Sequence, residues 1–286
     1  MSIILEFTSN LANTSKSFMN RFINYIINTN IIVACSAFSL YKLTEYLFNI
    51  SDLKMGFFVF FSTLIAYNYM RIFNTLKNNI FNTQNIIFFC ISSLLFSFLL
   101  FDLYFVLLVL PVIIICVIYP MSIINPINNY SFRLRSIPFV KIFLIALAWS
   151  YLTHLMPLLY NNIQIDYYAL DFFLQRFLFV LALSIPFDIR DVKVDIIRTI
   201  PNTIGVLKSK YFGWFCLLII QILLIINLVN NVIALPLFIG LFISIELTSV
   251  VLYFSRSGRS NFFYGIIVEG LSIIMCLFAL CSMYFL

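Results

Sequence analysis

Charge is scarce in this sequence. Asp, Glu, Lys and Arg make up 10% of its 286 residues, against about a quarter in a soluble domain. A globule in water would have too little polar side chain to cover its surface. Soluble enzymes, nucleic-acid-binding domains and disordered regulators are excluded on that ground. Glycine (7) and proline (8) are also few, and no stretch reads as a linker, so residues 1–286 are expected to form a single domain. The single histidine, His154, rules out a His-rich metal centre. Cys35, Cys90, Cys116, Cys216, Cys276 and Cys281 lie in apolar runs with no CxxC pair, which fits small core residues rather than zinc ligands or disulfides. No basic segment precedes an apolar core at the start, so no signal peptide is expected. Residues 1–22 read instead as an amphipathic helix lying at a membrane interface.

What is abundant is apolar. Hydrophobic residues reach 63% and the mean hydropathy is +1.06, the composition of an integral membrane protein whose surroundings are lipid. A crossing helix needs roughly 20 apolar residues. Nine candidates follow, at roughly 24–41, 55–73, 86–101, 103–119, 137–158, 170–187, 212–229, 232–254 and 262–284. The third and fourth meet at Asp102, which reads as the water boundary of a tight hairpin. With the N-terminus inside, fourteen of the 17 cations fall in cytoplasmic segments and Lys42, Lys54 and Arg176 on the other side. That asymmetry obeys the positive-inside rule. The expected fold is therefore an all-α integral membrane protein of nine transmembrane helices.

The densest polar cluster follows span six, from Asp188 to Pro201. Asp188, Asp191 and Asp195 are spaced i, i+3, i+7, which puts them on one helix face. Arg190 and Lys193 are expected on the opposite side, and Arg198 back on the acidic one. Carboxylates this close need a cation in a low-dielectric setting. Mg²⁺ suits them, because it takes carboxylate and phosphate oxygens together. A solvated loop whose acids pair with Arg190, Lys193 and Arg198 is the alternative. Elsewhere, Glu246 and Glu269 fall within spans eight and nine, where carboxylates are costly and functional roles are the default; protonated, helix-bridging carboxyls are the other reading. His154 is expected at the outer end of span five in an interfacial role. Lys42 and Glu45 read as a local i, i+3 pair.

The stretch Asp188-Ile-Arg-Asp191-Val-Lys-Val-Asp195 resembles the second aspartate motif of the UbiA family of membrane prenyltransferases. Thr199-Ile-Pro201-Asn-Thr-Ile-Gly205 is similar to the run that follows that motif. Tyr119-Pro120, Arg133, Arg135, Pro138-Phe-Val-Lys141 and Ala148-Trp149 look like the family's region around spans four and five. The family's first motif, Asn-Asp-x-x-Asp, is represented by Asn68-Tyr69-Met70-Arg71-Ile72. Asn68 matches, while Tyr69 and Ile72 stand where aspartates belong.

The resemblance implies a nine-helix bundle in a bacterial inner membrane with a cytoplasmic N-terminus. It implies a prenyl diphosphate donor and a lipophilic acceptor, both taken from the bilayer, and no nucleic acid. Asp188, Asp191 and Asp195 would be the catalytic acids, with Mg²⁺ on Asp188 and Asp191. Asn68, Arg71, Arg133, Arg135, Lys141 and Arg198 would hold substrate. Arg71 at the end of span two would either pair with the acids or grip phosphate. Two other classes stay open: a non-catalytic relative binding an isoprenoid lipid or a partner, and a transporter with Glu246 and Glu269 in its pathway.

Overall fold

The structure, a computed structural model, describes residues 21, 23–76, 83–97, 99–100, 102–119, 122–124, 131–133, 137, 139–192 and 199–285. The expected interfacial helix over 1–22 and the sites at Arg135, Asp195 and Arg198 lie outside them. After a helical turn over 23–28, the chain forms α1 (Ile31–Leu47), α2 (Leu53–Leu76), α3 (Thr83–Ser97) and α4 (Leu103–Ile118). A two-stranded antiparallel hairpin follows, β1 (Ser122–Ile124) on β2 (Ser131–Arg133). Then come α5 (Val140–Tyr160), α6 (Tyr167–Asp191), the short α7 (Ile200–Ile204), α8 (Val206–Val229) and α9 (Leu235–Phe254). The last helix, α10, opens as a wide π turn over Phe263–Val268 and continues through Glu269–Phe285.

Local chemistry sets the boundaries. Three acids outside the expected site start helices: Asp52 accepts from the Met55 amide, Asp102 from Tyr104 and Asp166 from Ala169, at 3.0, 3.1 and 2.8 Å. Each satisfies an amide that has no partner within its helix. Three helices end through asparagine. Asn49, Asn162 and Asn231 adopt left-handed φ of 53°, 54° and 57° after α1, α5 and α8. Asparagine tolerates that conformation better than other side chains with a Cβ. The next amides, of Ile50, Ile163 and Val232, turn back 2.9 Å onto the carbonyls of Glu45, Leu158 and Asn227, closing the same six-to-one cap each time.

The helices pack into one bundle. One core joins α1, α5, α6, α8, α9 and α10 through residues such as Leu40, Ala146, Phe179, Ile220, Ile245 and Met275. A second joins α1, α2, α4 and the middle of α5 through Tyr41, Phe58, Phe105 and Met156. Helices α9 and α10 touch at Gly240, where a Cβ would stand 2.5 Å from the Phe278 carbonyl oxygen; only glycine permits that approach. The outer face of α8 exposes Tyr211, Phe215, Leu218, Ile222, Ile225 and Val229. This is an apolar stripe at helical spacing, and lipid solvates it where water would not.

Helices α5, α6, α8, α9 and α10 are each long and apolar enough to cross a membrane, and α3 and α4 contribute shorter apolar segments. The sequence boundaries shift in two consequential places. The first expected span breaks at Asn30, whose φ of 60° separates the turn 23–28 from α1. The sixth runs to Asp191 rather than 187, carried past the internal Pro186. Asp188 and Asp191 therefore stand on the last turn of a helix and not in a loop.

Candidate functional site

One end of the bundle holds a chamber made of two adjoining cavities. The larger, about 650 Å³, is apolar and lies among α2, α3, α4 and α5. The smaller, about 320 Å³, is polar and lies among the turn 23–28, α1, α2, α5, α6 and α10. Asn30, Tyr67, Arg71, Ile145, Trp149 and Arg190 line both and form the neck between them. The end of α2, the start of α5, the end of α6 and the start of α10 thus meet at one end of the bundle, and the sequence placed the segments beyond these ends on one membrane face.

Asp188 and Asp191, on the last turn of α6, line the polar cavity with a cation each. Asp188 is 2% exposed. It accepts a 2.6 Å hydrogen bond from Lys141 Nζ on the first turn of α5. Asp191 takes a two-pronged contact from its neighbour Arg190: Nε to Oδ1 at 2.7 Å and Nη2 to Oδ2 at 3.0 Å. Helical azimuth alone put Arg190 on the far side. Its long, flexible stem swings the guanidinium back, where it lies 5.4 and 5.6 Å from the centroids of the Phe187 and Tyr264 rings. Aromatic faces attract a guanidinium at this range.

Arg71 reaches the neck from α2 and donates through Nη1 to the Asn28 carbonyl. Arg190 is its like-charged neighbour. Asn68 lies one turn earlier and is fully buried. Its Nδ2 donates to the carbonyls of Thr29 and Leu64 at 3.2 and 2.9 Å, and its Oδ1 accepts from Asn30 Nδ2 at 3.1 Å. Asn68 so fixes the break before α1 and presents Asn30 to the neck, without lining either cavity itself. Tyr69, standing where the first aspartate of the resembled motif belongs, lines the apolar cavity beside Phe89, with ring centroids 6.5 Å apart. Arg133 is placed on β2.

Several chamber residues lie outside the set expected to hold substrate or metal. Trp149 Nε1 donates to the Tyr67 hydroxyl at 3.1 Å, so these two rings close one wall of the neck. Glu269 enters the polar cavity from the first residue after the wide turn of α10, and it lies within electrostatic reach of Arg190. Wide turns of this kind recur at functional sites. The intramembrane position of Glu269 was its one signal in the sequence.

One expectation outside the chamber is corrected. His154 is fully buried rather than interfacial. It contacts Thr44 Oγ1 at 3.2 Å and the Ala169 carbonyl at 2.9 Å. Arg176 is 5% exposed and inside the bundle, donating to the Leu40 carbonyl at 2.6 Å, Thr153 at 3.1 Å and Thr44 at 3.3 Å. Glu246, expected as a pathway residue in the transporter reading, is exposed on the outer face of α9, where Gln221 donates to it at 2.6 Å. Lys42 and Glu45 form their expected ion pair.

Neither a family model nor a curated protein sequence matches this chain. The fold is similar to a solved structure of a digeranylgeranylglyceryl phosphate synthase, a membrane prenyltransferase of the UbiA type. The likeness has a TM-score of 0.53 and 17% identity, over 92% of this chain and 96% of that one. The architecture is thus that of an integral membrane protein with a UbiA-like fold.

Proposed function

We propose that this chain is a UbiA-like prenyltransferase, moving an isoprenoid group from a prenyl diphosphate to a lipophilic acceptor within the membrane. One observation carries the reading: a 650 Å³ apolar cavity ends at a neck where Arg71 and Arg190 converge, with Lys141 just beyond. That shape suits an amphiphile with a long apolar tail and a compact anionic head. In the reaction the C1–O bond of the donor breaks, and its electron pair leaves with the diphosphate. The cations of the neck stabilise that developing charge. The allylic cation forms inside the apolar cavity, away from water, beside the rings of Tyr67 and Trp149, which attract positive charge. An acceptor atom then bonds to C1 and releases its proton. In this reading the chain crosses a bacterial inner membrane nine times, with the chamber toward the cytoplasm.

A second reading is favoured by the two ion pairs. With Asp188 on Lys141 and Asp191 on Arg190, the chamber is internally neutralised, as a non-catalytic isoprenoid-binding relative would be. Purified protein incubated with radiolabelled prenyl diphosphates and a membrane lipid extract, with and without Mg²⁺, separates the two. A labelled lipid product is expected. Retention of intact donor with no product would favour the binding protein, and no retention of any donor would defeat both.

A further inference from the structure

The Mg²⁺ implied by the resemblance would need carboxylates free to coordinate it. Among the described residues no group of three His, Cys, Asp or Glu side chains is placed to hold a metal. Asp188 and Asp191 of the motif each engage a protein cation, and the place of the other motif carries Tyr69 and Ile72. We propose that the anionic head is gripped directly by Arg71 and Arg190 at the neck, without a divalent ion. This rests on the prenyl-donor reading and specifies how that donor is held.

The geometry of Arg190 makes the case. A guanidinium offers five N–H donors in a rigid fork. Arg190 spends Nε and one Nη2 hydrogen on Asp191, and no acceptor among the described residues takes its Nη1. Phe187 and Tyr264 flank the group, so the open edge of the fork is held in position while it lines both cavities. Arg71 is anchored to the Asn28 carbonyl and lines the same neck. Two guanidinium groups facing one space repel each other until an anion lies between them, and phosphate matches their fork geometry. Recruiting a metal to Asp188 would instead strip Lys141 from a carboxylate that is 2% exposed, leaving an ammonium without its partner.

The test uses the full chain in lipid nanodiscs, titrated calorimetrically with farnesyl diphosphate in excess Mg²⁺ and in excess EDTA. The expected Kd agrees within about threefold between the two arms, and inorganic diphosphate competes. Arg190→Lys keeps charge beside Asp191 but loses the fork, and is expected to weaken binding about tenfold in EDTA. Arg71→Gln is the independent variant, expected to weaken it about ten- to a hundredfold. Binding that EDTA abolishes and Mg²⁺ restores would overturn the metal-free grip while leaving the prenyl reading intact. So would EDTA-resistant binding indifferent to both substitutions, since the head would then lie elsewhere. A folded parent protein that binds farnesyl diphosphate in neither arm would instead defeat the prenyl reading itself.

Discussion

The Lys141–Asp188 pair is the most exacting point at which to test the chamber. Asp188 stands on the last turn of α6, where the helix dipole disfavours a negative charge. It is nearly sealed from solvent, and Lys141 is its cation, with a side chain 14% exposed. Lys141→Met would take the ammonium away from a buried carboxylate at the wrong end of a helix. Breaking a buried pair from one side costs about 3–5 kcal/mol, and the dipole places this substitution toward the upper half of that range. Asp188→Asn strands the more exposed ammonium and keeps one hydrogen-bond acceptor, so about 2–3 kcal/mol is expected. The double variant removes both charges together and should cost less than Lys141→Met alone, a coupling on the order of 2 kcal/mol or more. Unfolding free energies from SDS titration in mixed micelles measure all three. If Lys141→Met lies within about 0.5 kcal/mol of the parent, as a surface substitution would, Asp188 has another source of compensation. The argument against a free metal ligand would then fall with it.

Two further predictions concern residues on either side of the chamber. Asn68→Ala removes the two side-chain bonds that tie α2 to the break before α1 and a third within α2; a loss of about 2–4 kcal/mol is expected in the same unfolding assay, together with faster hydrogen exchange at Thr29 and Asn30. Arg176→Met exchanges a buried cation for an apolar side chain and leaves the Leu40 carbonyl and the hydroxyls of Thr44 and Thr153 short of a donor. It should lower stability by about 2–4 kcal/mol yet leave farnesyl diphosphate affinity within about threefold, and a large loss of affinity at unchanged stability would move Arg176 into the binding site.

The helical, membrane-embedded character of the chain was legible because it rests on composition and run length, which do not depend on tertiary contacts. Asp102 is an instructive success: a lone acid between apolar runs had to sit where a helix begins, and it caps α4. The errors fell where tertiary packing overrides local signal. Asp188 and Asp191 read as loop residues because charge usually ends a span. In the structure α6 continues for another turn because Lys141 and Arg190 supply the missing compensation. His154 read as an interfacial residue at the outer end of span five, and a hydroxyl from α1 and a carbonyl from α6 hold its ring inside the bundle. The family resemblance singled out Arg71, while helical spacing turned Arg190 away, since azimuth describes a Cα and a four-bond side chain can cross half the helix surface.

The substitutions at the end of α2 and the pairings at the end of α6 are two parts of one electrostatic arrangement. A chamber walled by carboxylates on both sides is unstable without added cations, because like charges in a poorly hydrated space cannot all remain ionised. Here the end of α2 carries Tyr69 and Ile72 where the resembled motif has acids, with the cation Arg71 between them. The acids that remain on α6 are answered from within the protein, by Lys141 across the cavity and by Arg190 along the helix. The outer edge of the Arg190 fork lies at the mouth of an apolar cavity, with the Arg71 group beside it. Replacing Arg71 by an acid would therefore not restore a two-motif metal clamp. It would place a carboxylate opposite Asp191 while Lys141 and Arg190 still held their partners, and the neck would lose the charge that favours an anionic head.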